Sequence, residues 1–63
     1  MILKDWLIKH KMKMTDLAKI LNYSKGNLSR IVNFKLRPSY VLAIKIQKAT
    51  NNEVMPMDLI NKE

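Results

Sequence analysis

The sequence predicts an all-α fold: a compact domain of four to five helices that contains a helix-turn-helix. Apolar residues recur at spacings of three and four along most of the chain, which is the periodicity of helices packed on a core. No segment alternates apolar and polar residues as a half-buried strand does. The chain has 63 residues, one glycine and two prolines. A chain of this size has room for one hydrophobic core, so we expect residues 1–63 to form a single domain.

The first third of the chain carries the pattern of two helices, over residues 2–11 and 14–22, at about 100° of rotation per residue. One side of the first helix holds Ile2, Leu3, Trp6, Leu7 and His10. One side of the second helix holds Leu17, Ala18, Ile20 and Leu21. We expect Asn22 to end the second helix, because asparagine tolerates the left-handed conformation found after many helices.

Two serines predict where the next helices begin, because a serine hydroxyl accepts a hydrogen bond from the first turn. Ser24 precedes a helix over residues 25–33, whose inward side chains are Leu28, Ile31 and Val32. Ser39 precedes a helix over residues 40–50, whose inward side chains are Leu42, Ala43, Ile46 and Ala49. Val41 and Ile44 point elsewhere. An apolar segment follows, and Pro56 predicts a short helix or turn within it.

The composition excludes several classes of protein. With no cysteine and one histidine, the chain lacks the ligands of common metal sites, and we expect neither a metal nor a cofactor. It offers no catalytic triad, carboxylate pair or phosphate-binding glycine loop, so we do not expect an enzyme. No apolar run approaches the roughly 18 residues of a membrane span, and Asp5 interrupts the region of a signal peptide. We therefore expect a soluble protein of the cytoplasm.

Positive charge is concentrated in the middle of the chain. The formal net charge is +7, and between residues 9 and 48 ten Lys or Arg residues stand against Asp16 alone. Such an excess favours a polyanionic partner, with double-stranded DNA ahead of an acidic membrane. A membrane-surface peptide would need one continuous amphipathic face, whereas these helices have the boundaries of a folded domain.

The second and third helices form the predicted helix-turn-helix. They are joined by only a few residues around Tyr23, and so short a connection makes them cross steeply. Leu17, Ala18 and Leu21 then face Leu28 and Ile31 across the crossing, where the small Ala18 allows close approach.

These positions resemble the helix-turn-helix of the phage lambda-type repressor and Cro superfamily. The sequences Arg37-Pro38-Ser39 and Ala43-Ile44-Lys45-Ile46-Gln47-Lys48-Ala49-Thr50 are similar to those of small YdaS-like or Cro-like prophage regulators. The resemblance covers nearly the whole chain and implies a five-helix domain, usually dimeric, that binds an operator and represses transcription. Met14 stands where the family often has glutamine, and Asn22 stands where it often has glycine. A thioether cannot reproduce the phosphate contact of the glutamine amide, so we assign that contact to Thr15.

The third helix carries a face of hydrogen-bond donors that fits a DNA major groove. The predicted base-reading residues are Lys25, Gly26, Asn27, Ser29 and Arg30. Arg30 suits a bidentate contact to guanine, Ser29 is short enough to let the helix approach, and Gly26 permits close approach. The predicted phosphate-binding residues are Thr15, Ser24, Asn33, Lys35, Arg37, Ser39 and Tyr40, which fix the position of the protein on the duplex.

The predicted partners are double-stranded DNA and a second copy of the chain. We expect a homodimer whose interface is formed by Val54, Met55, Met57, Leu59 and Ile60, along with Val41 and Ile44, because one small domain cannot hide so many apolar residues. The leading interpretation is a phage or prophage repressor of palindromic operators. The alternatives are an antitoxin that represses its own operon and binds a toxin partner, and a helix-turn-helix used only for protein interaction.

Overall fold

A computed structural model describes residues 1–60 as five helices packed into a body of 25 × 22 × 19 Å. The helices are α1 (Leu3–Lys9), α2 (Met14–Leu21), α3 (Lys25–Val32), α4 (Tyr40–Ala49) and α5 (Pro56–Ile60). Within this range there is no strand, and the predicted all-α class is confirmed. The helices are one to three residues shorter than predicted, because the flanking residues act as caps.

The core takes side chains from every helix. Its buried apolar members are Leu3, Trp6, Leu7, Leu17, Ala18, Leu21, Leu28, Ile31, Val32, Leu42, Ala43, Ile46, Val54 and Leu59. Each large aliphatic side chain among them stabilises the fold by about 1.5–3 kcal/mol relative to an exposed one. The inward face predicted for α2 was wrong at Ile20, which is 60% exposed. Ile20 lies beyond the edge of the stripe that Leu17, Ala18 and Leu21 bury against α3 and α4.

Four of the helices end in the same way, with a left-handed residue that is not glycine. These residues are Lys11, Asn22, Phe34 and Asn51, with φ between 52° and 60°. After α2, for example, Tyr23 donates its N–H to the carbonyl of Ala18 at 2.9 Å, and Asn22 donates to Lys19 at 3.1 Å. This pair of bonds is a Schellman motif, which satisfies carbonyls left free at a helix end. The predicted role of Asn22 is therefore confirmed, and α1 ends at Lys9 for the same reason.

The predicted helix starts at Ser24 and Ser39 are also confirmed. The Ser24 hydroxyl accepts the N–H of Asn27 at 3.4 Å, and the Ser39 hydroxyl accepts the N–H of Leu42 at 3.2 Å. The Schellman turn after α2 and the serine cap of α3 are adjacent in sequence. Together they fix the short connection of the helix-turn-helix and hence the direction in which α3 leaves it.

A buried threonine ties α4 to the C-terminal segment. Thr50 is 1% exposed, and its hydroxyl donates to the carbonyl of Ile46 at 2.8 Å and accepts the N–H of Val54 at 3.1 Å. The ammonium of Met1 pairs with Asp58 at 3.0 Å, which joins the start of the chain to α5. Asp58 also accepts the N–H of Met55. Hydrogen bonds thus fix the residues before α5, and Leu59 turns into the core.

Candidate nucleic-acid interface

The outer face of α3 presents polar side chains to solvent. Lys25, Gly26, Asn27 and Arg30 are exposed and Ser29 is half-buried, whereas the opposite side of the helix is buried in the core. Within residues 1–60, Lys25 and Arg30 have no ion-pair partner. The structure therefore places all five predicted base-reading residues on one helix, with both cations free to meet an anionic ligand.

Gly26 has no structural need to be glycine. It lies in ordinary helical conformation, and a Cβ built at this position would meet only the Ser24 hydroxyl, at 3.8 Å. Glycine inside a helix is less favourable than alanine by about 0.5–1 kcal/mol. Gly26 therefore lowers the stability of the free domain, and the absent side chain leaves room for a close approach from outside.

The predicted phosphate-binding residues lie around the ends of three helices. Lys35 and Arg37 are exposed on the loop between α3 and α4, followed by exposed Ser39 and by Tyr40, which is 78% exposed. Thr15 is half-buried in the first turn of α2, where within the described residues no side chain caps the helix. Free backbone amides at such a helix start favour an anion.

Three of the predicted phosphate ligands, Ser24, Asn33 and Ser39, already make bonds inside the protein. Asn33 donates an amide N–H to the carbonyl of Ser29 at 2.8 Å, which leaves its second N–H for a ligand. Ser24 and Ser39 each accept a bond from the backbone of the helix that follows, but their hydroxyl protons remain able to donate. Sequence reasoning missed the bond of Asn33, because it depends on the side chain folding back at the end of α3.

The acids near the C-terminus are paired with α1 and with the N-terminus. Lys9 donates to Glu53 at 3.0 Å, and the Nε2 atom of His10 lies 3.4 Å from the same carboxylate. The Lys9 hydrogen bond holds the pKa of Glu53 below its ordinary value. Partial burial raises the pKa of Asp58, but the Met55 N–H and the N-terminal ammonium outweigh burial and hold it low. Both carboxylates thus remain charged at neutral pH and are partnered by groups outside α3.

Comparison with known proteins agrees with this geometry. A family model of the Cro/C1-type HTH DNA-binding domain matches residues 3–61. The chain belongs to the Cro/C1-type family. The resemblance to the lambda-type repressor and Cro superfamily is therefore confirmed, and membership supports a sequence-specific DNA-binding regulator. No curated protein and no solved structure gives a significant match. The longest helix of this Cro/C1-type domain has ten residues, and over residues 1–60 no helix is long and apolar enough to cross a bilayer.

The dimer surface predicted for the Cro/C1-type domain needs a correction at two positions. Val54 is 0% exposed and Leu59 is 2% exposed, so both belong to the core of one chain and have no area to offer a second copy. Met55, Met57 and Ile60 are between 44% and 71% exposed. We call these three residues the α5 apolar surface. In this short segment buried and exposed apolar residues alternate. The sequence therefore shows no helical periodicity that would separate the buried side chains from the exposed ones.

Proposed function

We propose that this Cro/C1-type protein is a transcriptional repressor of phage or prophage type that binds a palindromic operator as a homodimer. The observation that carries the proposal is the outer face of α3, where two free cations flank a glycine that the fold does not require. A helix with this face fits a major groove about 12 Å wide. Repression follows when the operator overlaps a promoter.

The division of labour between the residues follows from their chemistry. Arg30 makes bidentate contacts to a guanine edge, and Lys25, Asn27 and Ser29 read neighbouring base edges. Lys35, Arg37, Ser39 and Tyr40 contact phosphates from the loop and the start of α4, with Thr15 and the free amides of α2 binding another phosphate. The remaining Asn33 N–H and the Ser24 hydroxyl act as weaker phosphate ligands. The first group provides sequence preference, and the second sets register and affinity.

The homodimer forms through the α5 apolar surface. Two copies related by a twofold axis present their α3 helices to major-groove faces about 34 Å apart, which requires a palindromic site. Met57 is 71% exposed and lies at the centre of this surface in sequence. Methionine side chains adapt readily to an apolar partner surface.

Selection of duplexes from a random DNA pool, followed by sequencing, tests the function directly. We expect an enriched palindrome whose half-sites lie about one helical turn apart. With about 6–10 phosphate contacts, affinity falls on the order of a thousandfold or more between about 50 and 200 mM salt. Salt-sensitive binding without an enriched sequence would reduce the protein to a non-specific DNA binder. Absence of binding would overturn the proposal.

Charge substitutions at matched positions test the dimer. Met57→Glu is expected to yield a monomer in sedimentation experiments and to weaken operator binding. Ile8→Glu is the control, because Ile8 is 67% exposed on α1, outside the α5 apolar surface. Equal sedimentation of both variants and the natural chain would show that the dimer forms elsewhere or does not form.

A further inference from the structure

A second exposed surface runs along α4, and apart from Tyr40 its residues are not used by the proposed function. It consists of two neighbouring cavities that share Lys45 and Lys48 on their rims. The smaller cavity, of about 300 Å³, is lined by Tyr40, Val41 and Ile44. The larger, of about 460 Å³, extends to the end of α2, where it is lined by Ile20, Leu21, Asn22 and Ala49. We call the two cavities together the α4 groove.

Large apolar side chains are exposed in the α4 groove. Val41 is 64% exposed and Ile20 is 60% exposed, although both helices bury a full face elsewhere in the core. Val41, Ile44 and Lys48 follow the spacing of one helical face over two turns, about 10 Å long. This is the length over which an amphipathic helix places two or three successive anchors into a groove.

The charge of the α4 groove is entirely positive. Its lining includes two lysines and no acid, and within residues 1–60 neither Lys45 nor Lys48 has an ion-pair partner. A second copy of this chain is a poor occupant, because its own groove is equally positive and the chain carries a net charge of +7. Of its acids in residues 1–60, Glu53 and Asp58 are already paired with Lys9 and with the N-terminal ammonium, and Asp5 and Asp16 lie singly on separate helices. An occupant complementary to the groove must therefore bring its own carboxylates.

We propose that the α4 groove binds an acidic amphipathic helix of another protein. Apolar side chains of that helix enter the two cavities, and its carboxylates pair with Lys45 and Lys48 between them. Such pairs at a rim fix the orientation of the partner and accelerate association more than they add affinity. This site is separate from the base-reading face of α3, so the proposal does not rest on DNA binding. Tyr40 belongs to both surfaces, which makes it the point where a bound partner and a DNA phosphate meet.

A designed probe peptide tests the site on the full-length chain. The probe is a capped helical peptide with leucines at one-face spacing and glutamates on both flanks, and its control peptide carries lysine in place of every glutamate. Titration into the isotope-labelled protein, followed by NMR, is expected to shift the amides of Ile20, Val41, Ile44, Lys45 and Lys48. The control peptide is expected to leave these amides unchanged.

Charge reversal separates a specific site from general attraction to a basic protein. The double variant Lys45→Glu with Lys48→Glu is expected to weaken binding of the acidic peptide at least tenfold. Lys4→Glu with Lys11→Glu is the control, because it changes the net charge equally at exposed positions of α1 and its turn. It is expected to retain most of the affinity. Thermal unfolding of both variants establishes that they are folded, and Val41→Ser, at an exposed position, provides a third variant that lowers affinity without a change of charge.

Several results would overturn the proposal. Equal losses in the two double variants would mean that only net charge attracts the peptide. Shifts confined to α3 or to the α5 apolar surface would place the binding elsewhere, and no shift at millimolar peptide would remove the site. Shifts of the groove amides with protein concentration alone would identify a second copy as the occupant. Because none of these measurements uses DNA, they leave the proposed repressor function to its own test.

Discussion

Helices α3 and α5 both expose one face, but the two faces differ in chemistry. The exposed face of α3 carries Lys25, Asn27 and Arg30, whereas that of α5 carries Met57 and Ile60. A polar face with unpaired cations remains hydrated until a polyanion displaces the water and counterions. An apolar face is instead stabilised by contact with protein. The two faces therefore suit the two different partners that we propose, DNA for α3 and a protein surface for α5.

The largest expected effect distinguishes the two sides of α5. Leu59→Ala is expected to lower the free energy of unfolding by about 2–5 kcal/mol, because it removes a buried side chain and leaves a cavity. Met57→Ala is expected to change it by less than about 0.5 kcal/mol, since Met57 lies on the surface of the chain. Urea denaturation at a protein concentration where the chain is monomeric measures both. Similar losses of unfolding free energy in the two variants would show that Met57 packs in the core as much as Leu59 does.

We expect substitution of Arg30 on α3 and of Arg37 in the following loop to change DNA binding in different ways. Arg30→Ala is expected to weaken operator binding by about 1–3 kcal/mol and to relax the preference at one base pair. Arg37→Ala is expected to weaken binding to all sequences alike and to reduce the salt dependence. Fluorescence anisotropy with operator and random duplexes over a salt series measures these effects. If both substitutions lowered affinity for the two duplexes equally, the distinction between base and phosphate contacts would be lost.

Gly26 is expected to show opposite effects on stability and binding. Gly26→Ala is expected to stabilise the domain by about 0.5–1 kcal/mol, because the site is open and alanine favours a helix. The same change is expected to weaken operator binding, since the new methyl group lies on the face that enters the groove. Thermal unfolding measures the change in stability, and duplex titration of the same preparation measures the change in operator affinity. An unchanged operator affinity would show that the backbone at Gly26 does not approach DNA closely.

The smallest effect is expected at Glu53, where the ion pairs are exposed. Because the pKa of Glu53 is lower in the folded chain than its ordinary value of 4.5, its contribution to stability is present above that pH. It is lost as the pH falls through the lowered pKa of the folded state. Glu53→Gln is expected to reduce the acid sensitivity of the unfolding midpoint slightly, with Asp5→Asn on α1 as the control. An identical pH profile for all three proteins would show that these pairs contribute nothing to stability.

The two regions also differed in how far their sequence predicted their structure. In α2 and α3 a polar side opposes an apolar side, so the periodicity identified the buried residues, with Ile20 as the exception. The serine caps and Asn22 were predictable because their side-chain chemistry acts on the neighbouring backbone. In the C-terminal segment the sequence could not separate Leu59 from Met57. Their sides are set by the bond from Val54 to the buried Thr50 and by the pairing of Asp58 with the N-terminus, and the second of these links distant parts of the chain.

The α4 groove could not be predicted from the sequence for a related reason. The sequence predicts that Val41 and Ile44 point away from the core, but it places their neighbour Ile20 on the inward face. Only the packing of α2 on α4 brings Ile20 beside the same lysines. A surface shared by two helices has no signature in the periodicity of either helix alone.

The burial of Trp6 allows unfolding of the domain to be followed by tryptophan fluorescence. Trp6 is the single tryptophan, is 5% exposed and stacks on His10 with ring centroids 4.5 Å apart. Within residues 1–60 its indole N–H has no hydrogen-bond partner. Its emission will therefore move to longer wavelength when α1 leaves the core and water reaches the ring. Because α1 lies outside the proposed DNA interface and the α4 groove, the unfolding of the chain can be followed without a label while DNA or a peptide is bound.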